Sequence, residues 1–502
     1  MRFPRASGVL LHPSSLPGPH GAGDLGPAAY HFVDWLVAGG QSLWQILPLG
    51  GLGPGNSPYM SSSAFAGNVL LIALDELQQR GWLDADDVAP VPGLDGERID
   101  FAAMVPHRME RMARAAARFE AQATEQERAE LQEFCAEHGN WLDDYALFMA
   151  LAEHNQQRDW CEWDAPLATR KAAALRAART QHAQRIAFWV FCQWCFYSQW
   201  ARLKAYANDR GVRIVGDAPI FIAHQSAEVW AQPKLFELDE GGRPTVVAGV
   251  PPDTFSATGQ RWGNPLYRWR AHAREGYAWW VERIRRSFEL VDIVRIDHFR
   301  GFAGYWEIPA SEPTAMNGRW VPGPGEALFE AIAEALGPLP IIAEDLGVIT
   351  PDVDALRKQF DFPGMRILQF AWGEKGEAET RFLPHSHEAD TVVYTGTHDN
   401  DTTLGWWTGA PEEIRHHLRE YLATDGRDVA WDLIRAACAS VGDMAIYPMQ
   451  DVLSLGGEHR MNFPGKGEGN WGWRFGWQQV QPGHAQRLRR LCQLYERLPK
   501  AV

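Results

Sequence analysis

Three aliphatic runs in this chain stop abruptly in charge, and nothing else in it restricts the possible folds as much. Leu290 to Phe299 reads L-V-D-I-V-R-I-D-H-F, Pro340 to Asp345 reads P-I-I-A-E-D, and Thr391 to Asp401 reads T-V-V-Y-T-G-T-H-D-N-D. Short β-branched runs bounded by polar residues predict buried strands. Charge at the carboxyl end of each strand predicts that reactive groups are presented from strand ends, as in a barrel.

Five more apolar segments fit the same scheme: Gly8 to Leu11, Ser42 to Leu47, Val212 to Ala218 with Asp217, Gly364 to Trp372, and Met444 to Pro448. The first runs into a polar turn, His12-Pro13-Ser14-Ser15, and helical periodicity fills the intervals, as over Ala28 to Ala38 before Gly39-Gly40 and over Tyr277 to Phe288. Eight strands, each followed by a helix, predict an α/β fold, the (β/α)8 TIM barrel. That barrel typically needs ~250 residues, and the chain has 502, so its connections must be inflated. Residues 74–206, rich in Ala, Arg, Glu and Gln, read as a mainly helical insertion after the second strand. Residues 221–289 read as a second insertion, with the stretch 249–265 inside it. No Pro/Ser-rich linker or low-complexity run divides the chain, so 1–502 read as one catalytic domain.

Lys plus Arg number 48 against 63 Asp plus Glu, a formal charge of −15. That balance disfavours nucleic acid or an anionic membrane as partner and leaves a neutral or cationic ligand. No apolar run is long enough to span a bilayer. Met1 to Arg5 lack the apolar core of a signal peptide, so a cytoplasmic location is expected. Cys192 and Cys195 form the one C-x-x-C among 6 cysteines, inside an aromatic helix over 184–207, and read as core cysteines rather than a redox pair. Most of the 23 Trp are core filler, and the remainder are candidates for platforms on which sugar rings stack.

In a barrel the strand ends converge, so Asp297, Glu344 and Asp399 are expected to ring one pocket despite their distance in sequence. Each alone has a bland reading as a helix cap or surface ion pair. Together, flanked by His298 and His398, they suit glycoside chemistry, which needs an ionised carboxylate facing the anomeric carbon and a protonated acid beside the leaving oxygen. Arg295, two residues before Asp297, is expected to keep that acid ionised, while the apolar neighbours Ile341 to Ala343 are expected to raise the pKa of Glu344. Asp399 would hold sugar hydroxyls. The pairs Asp297-His298 and His398-Asp399 also suit a metal-dependent barrel hydrolase or isomerase. No run of oxygen ligands resembles a calcium loop, so neither metal nor cofactor is expected.

The segments H-P-S-S-L-P-G at 12–18, W-Q-I-L-P-L-G at 44–50, S-P-Y at 57–59, G-D-A-P-I-F at 216–221, G-V-P-P-D at 249–253, W-G-N-P at 262–265, V-R-I-D-H-F-R-G at 294–301, A-E-D-L-G at 343–347 and T-G-T-H-D-N-D-T at 395–402 resemble those of the amylomaltases, or 4-α-glucanotransferases, relatives of the α-amylase clan. The resemblance implies a retaining enzyme that transfers α-1,4-glucan segments to the 4-hydroxyl of an acceptor glucan or glucose, disproportionating maltooligosaccharides. It implies Asp297 as nucleophile, Glu344 as general acid/base and Asp399 as transition-state stabiliser. It further implies sugar contacts from Ser57, Tyr59, Asp217, Arg295, His298 and His398, with Gln260, Trp262 and Asn264 on a first lid, the loop 249–265 over the barrel mouth. Asn462 would contribute from a second lid, Leu453 to Trp473. Gln225 to Glu228 and Arg261 depart from the family pattern. A glucan hydrolase with the same chemistry, or a non-catalytic glucan-binding protein, is the alternative.

Overall fold

The computed structural model describes residues 3–252, 256–373 and 380–499. Eight parallel strands form one sheet: β1 (Ala6–Leu10), β2 (Leu43–Gln45), β3 (Arg213–Pro219), β6 (Ile293–Asp297), β9 (Ile341–Ala343), β10 (Gly364–Ile367), β11 (Thr391–Tyr394) and β12 (Met444–Pro448). Their order is β10-β11-β12-β1-β2-β3-β6-β9. The two ends meet where Ala343 N donates to Pro363 O at 3.0 Å and Met365 N donates to Asp345 Oδ1 at 2.6 Å. The chain is thus a (β/α)8 barrel, and every predicted barrel strand is present.

Close approach at two positions demands glycine. A Cβ on Gly8 would stand 2.3 Å from Leu43 O across the β1–β2 pair, and one on Gly364 would stand 2.4 Å from Asp345 Oδ2. Gly364 therefore leaves room for the carboxylate that helps close the ring.

Between β2 and β3 run the long helices Phe101–Gln122, Glu125–His154 and Ala183–Asp209. Thr124 and Glu127 start the second with a reciprocal cap, each satisfying the other's backbone N–H. The last helix buries Trp189, Cys192, Trp194, Cys195 and Trp200. Burial raises both thiols well above the ordinary cysteine range and leaves them unreactive.

The two ends of the stretch 249–265 are strand: β4 (Val246–Val250) and β5 (Gln260–Pro265) pair antiparallel, and β7 (Gly304–Pro309) and β8 (Arg319–Pro322) extend the pair into an antiparallel sheet ordered β5-β4-β7-β8. The last two strands come from the connection after β6, so the pair is stiffened by a segment remote in sequence. Gly and Pro content suggested a loop because that pairing partner is non-local. Residues 253–255, including Asp253 of the G-V-P-P-D segment, lie outside the described residues. Among the described residues no helix is long and apolar enough to cross a membrane.

Candidate active site

Asp297 is the last residue of β6, Glu344 follows β9, and Asp399 lies in the turn after β11, so the barrel delivers all three to one face. A continuous chain of side-chain contacts joins Asp297 to Asp399. Arg295 Nη2 donates to Asp297 Oδ1 at 2.9 Å, and its Nη1 reaches both oxygens of Asp217 at 2.7 and 2.6 Å. Tyr59 Oη donates to Asp217 Oδ2 at 2.7 Å and lies 2.8 Å from His398 Nε2. That nitrogen is 3.3 Å from Asp399 Oδ2, and Asn462 Nδ2 donates to Asp399 Oδ1 at 2.6 Å. On the other side, His298 N and Leu346 N donate to the two oxygens of Glu344 at 2.7 and 2.8 Å.

These surroundings set three different proton affinities. Glu344, 9% exposed, is pushed up to about 8 by burial and then by the negative charge of Asp297, against the pull of Arg295. Burial raises Asp297 to about 6 even though Arg295 opposes it. Arg295 thus limits the rise without cancelling it, where the sequence led us to expect a simple ionising effect. Burial acts in the same sense on Asp399, but His398 and Asn462 overcome it and hold this carboxyl well below the usual carboxylate range. The reciprocal effect raises His398, where Asp399 outweighs burial. His298 is lowered to about 3 by burial and by Arg300, so it stays neutral. Its backbone is left-handed, φ 53° and ψ 48°, an unfavourable conformation for a side-chain-bearing residue, and it directs the N–H at Glu344.

The family model described as 4-alpha-glucanotransferase matches residues 11–479. The chain belongs to the 4-α-glucanotransferase family. It is 50% identical to the 4-alpha-glucanotransferase of Thermus thermophilus, the match covering 99% of this chain and 100% of that one. Identity to the Synechocystis 4-alpha-glucanotransferase is 46%, covering 98% of each. The solved amylomaltase from Streptococcus agalactiae in complex with acarbose superposes with a TM-score of 0.95 at 39% identity, covering 99% of this chain and 100% of that one. The present chain is an enzyme of glucan transfer.

In this transferase the other predicted residues gather at the same mouth, with distinct surroundings. Ser57 Oγ accepts from Tyr59 N at 3.2 Å and so shapes the turn that presents the tyrosine. The Tyr59 ring lies flat on His398, centroids 5.3 Å apart. Trp262 meets His298 edge-on at 4.8 Å, and Gln260 Oε1 accepts from its indole at 3.2 Å. Asn264 is buried, its Nδ2 3.4 Å from Met60 Sδ. For the metal reading, no group of three or more His, Cys, Asp or Glu is placed to hold an ion among the described residues.

Two residues escaped the sequence reading. Trp471 packs against Tyr59 at 5.6 Å and His398 at 6.0 Å. Arg460 donates to the Asp399 carbonyl and, at 2.6 Å, to Asn462 O, so it pins the second lid to the acid. Both sit in a Gly-rich stretch whose spacing carries no chemical pattern. The departures prove structural. Glu228 accepts from Ser63 Oγ at 2.6 Å and Ala64 N at 3.0 Å, and Gln225 Oε1 accepts from Trp160 N at 3.0 Å. Arg261 reaches Ala310 O at 3.0 Å on the exposed side of its strand.

Proposed function

We propose that this transferase works by retaining double displacement on maltooligosaccharides. The Asp297 carboxylate attacks the anomeric carbon while Glu344 protonates the departing glycosidic oxygen. The resulting Glu344 carboxylate then takes the proton from the acceptor's 4-hydroxyl, whose oxygen displaces Asp297. Asp399, kept ionised by His398 and Asn462, holds sugar hydroxyls and favours the charged transition state. Arg295, Asp217, Tyr59 and His298 line the donor ring, with Ser57 setting the Tyr59 turn. Gln260, Trp262 and Asn264 belong to the acceptor side, and glucose serves as both acceptor and product.

The observation that carries this reading is that one barrel mouth gives the three acids three different partners: Arg295 on Asp297, backbone N–H groups on Glu344, and His398 with Asn462 on Asp399. Burial raises Glu344 most, and the partners of Asp399 hold it down. A nucleophile, an acid and a charge stabiliser require such different surroundings. All six cysteines are free, which supports a reducing compartment, the cytoplasm.

Incubation with maltotriose followed by separation of products by chain length tests the proposal. A ladder of longer oligosaccharides with glucose is expected. Shortening to glucose and maltose alone would make the protein a hydrolase.

A further inference from the structure

The His12-Pro13-Ser14-Ser15 turn has no part in the reaction above, yet it follows β1 onto the same barrel face as the acids. Behind His398 lies a cavity of about 20 Å³ whose walls include His12, Thr397, Asp401, Arg460 and Trp473. His12 and His398 are 6% exposed and Trp473 is 1% exposed. Three nitrogens of these walls are buried without a hydrogen-bond partner: His12 Nδ1, His398 Nδ1 and Trp473 Nε1. Buried polar groups are ordinarily satisfied, and a polar cavity of this size holds one water molecule.

Tyr59 decides the tautomer of His398. Its single hydroxyl proton is given to Asp217, which is bound to Arg295 and can only accept. The Tyr59 oxygen must therefore accept from His398 Nε2, leaving Nδ1 as the atom whose proton comes and goes.

We propose that the cavity binds a single water molecule and that His12, acting through it, is a positioning residue for His398. The indole N–H of Trp473 donates to the water, and the water donates to His12 Nδ1. When His398 is neutral, the water's second hydrogen goes to its Nδ1. When His398 is an imidazolium, the water turns and accepts the Nδ1–H instead. All three nitrogens are then satisfied in both states, and the charged state that holds Asp399 ionised gains an acceptor. His12 serves this purpose only while uncharged, and burial, with His398 beside it, lowers it to about 3. The other charged or titratable groups facing His398 are Asp399, Asp297, Tyr59, Asp217 and Arg295 on the cleft side, with Asp401 and Arg460 on the cavity side.

Only the kinetic consequence rests on the role proposed for Asp399; the water and its partners do not. A high-resolution crystal structure of the unaltered protein should show one water about 3 Å from all three nitrogens. Density absent from the cavity would overturn the proposal. In a parallel titration by ¹⁵N NMR, with the His398 signal assigned by substitution, His12→Phe should move the His398 midpoint down by about one pH unit, a tenfold change in its protonation equilibrium. His12→Asn, which restores an acceptor, should return it, and kcat/KM on maltotriose should follow the same order. An unmoved midpoint in His12→Phe would also overturn the proposal, and should that variant not fold, the crystal structure decides. Full activity in Asp399→Asn would sink the catalytic reading and leave the His398 result to judge this one.

Discussion

Asp399 and Glu344 are both acids beyond the ends of parallel strands at one barrel mouth, and burial penalises the charge on both. They nevertheless end on opposite sides of neutrality. Asp399 faces an imidazole and an amide supplied by the β11 turn and the second lid. Glu344 has two backbone N–H donors and the negative Asp297 nearby. Burial sets the scale of a shift, and the partner sets its direction.

The largest test of that contrast removes the acids at the β6 and β9 ends. Asp297→Asn and Glu344→Gln should each lower kcat by about 10³-fold or more, since one loses the covalent step and the other the proton transfer. Steady-state rates on maltotriose check this, and near-normal turnover in either would reject its role.

The pH profile comes next. The productive form has Asp297 ionised and Glu344 protonated. Because the folded protein raises both, kcat/KM should fall below about 6 as Asp297 takes up a proton, and above about 8 as Glu344 loses one. The slopes should approach tenfold per pH unit. In Glu344→Gln the alkaline limb should disappear from the residual activity, and its persistence there would mean that another group titrates.

On the opposite wall, Asn462→Ala strips one of the groups that depress Asp399, a hydrogen bond to a charge, and should cost roughly tenfold in kcat/KM. A mere rise in KM at unchanged kcat would show that Asn462 binds ground-state sugar and leaves the acid alone.

The smallest effect belongs to the first lid. Transfer requires the acceptor sugar to outcompete water for the glycosyl-enzyme, which depends on exclusion and docking at the mouth. Trp262→Ala, by opening the edge contact with His298, should raise the ratio of hydrolysis to transfer several-fold, read as glucose plus reducing ends from maltotriose. An unchanged ratio would assign water exclusion elsewhere.

Much of this was legible in the chain. The barrel strands read correctly because each is a short apolar run, and in a barrel interior local composition and burial agree. Asp297, Glu344 and Asp399 were visible because strand ends interrupt such runs with charge. The β4–β5 pair was misread because β7, which pairs with it, lies beyond a barrel strand. Trp471 and Arg460 were missed because a Gly-rich segment has no periodicity to say which side chains turn inward.

By itself, the sequence determined the alternation of strand and helix, the family, and the three acids at the barrel mouth, since these follow from local patterns of polarity. Only the tertiary structure decided what each acid faces. Tyr59 and Asp217 are 158 residues apart, and Asn462 and Asp399 are 63 apart. Proton affinity depends on charge and burial within a few ångströms, and such neighbours exist only once the ring of strands has closed.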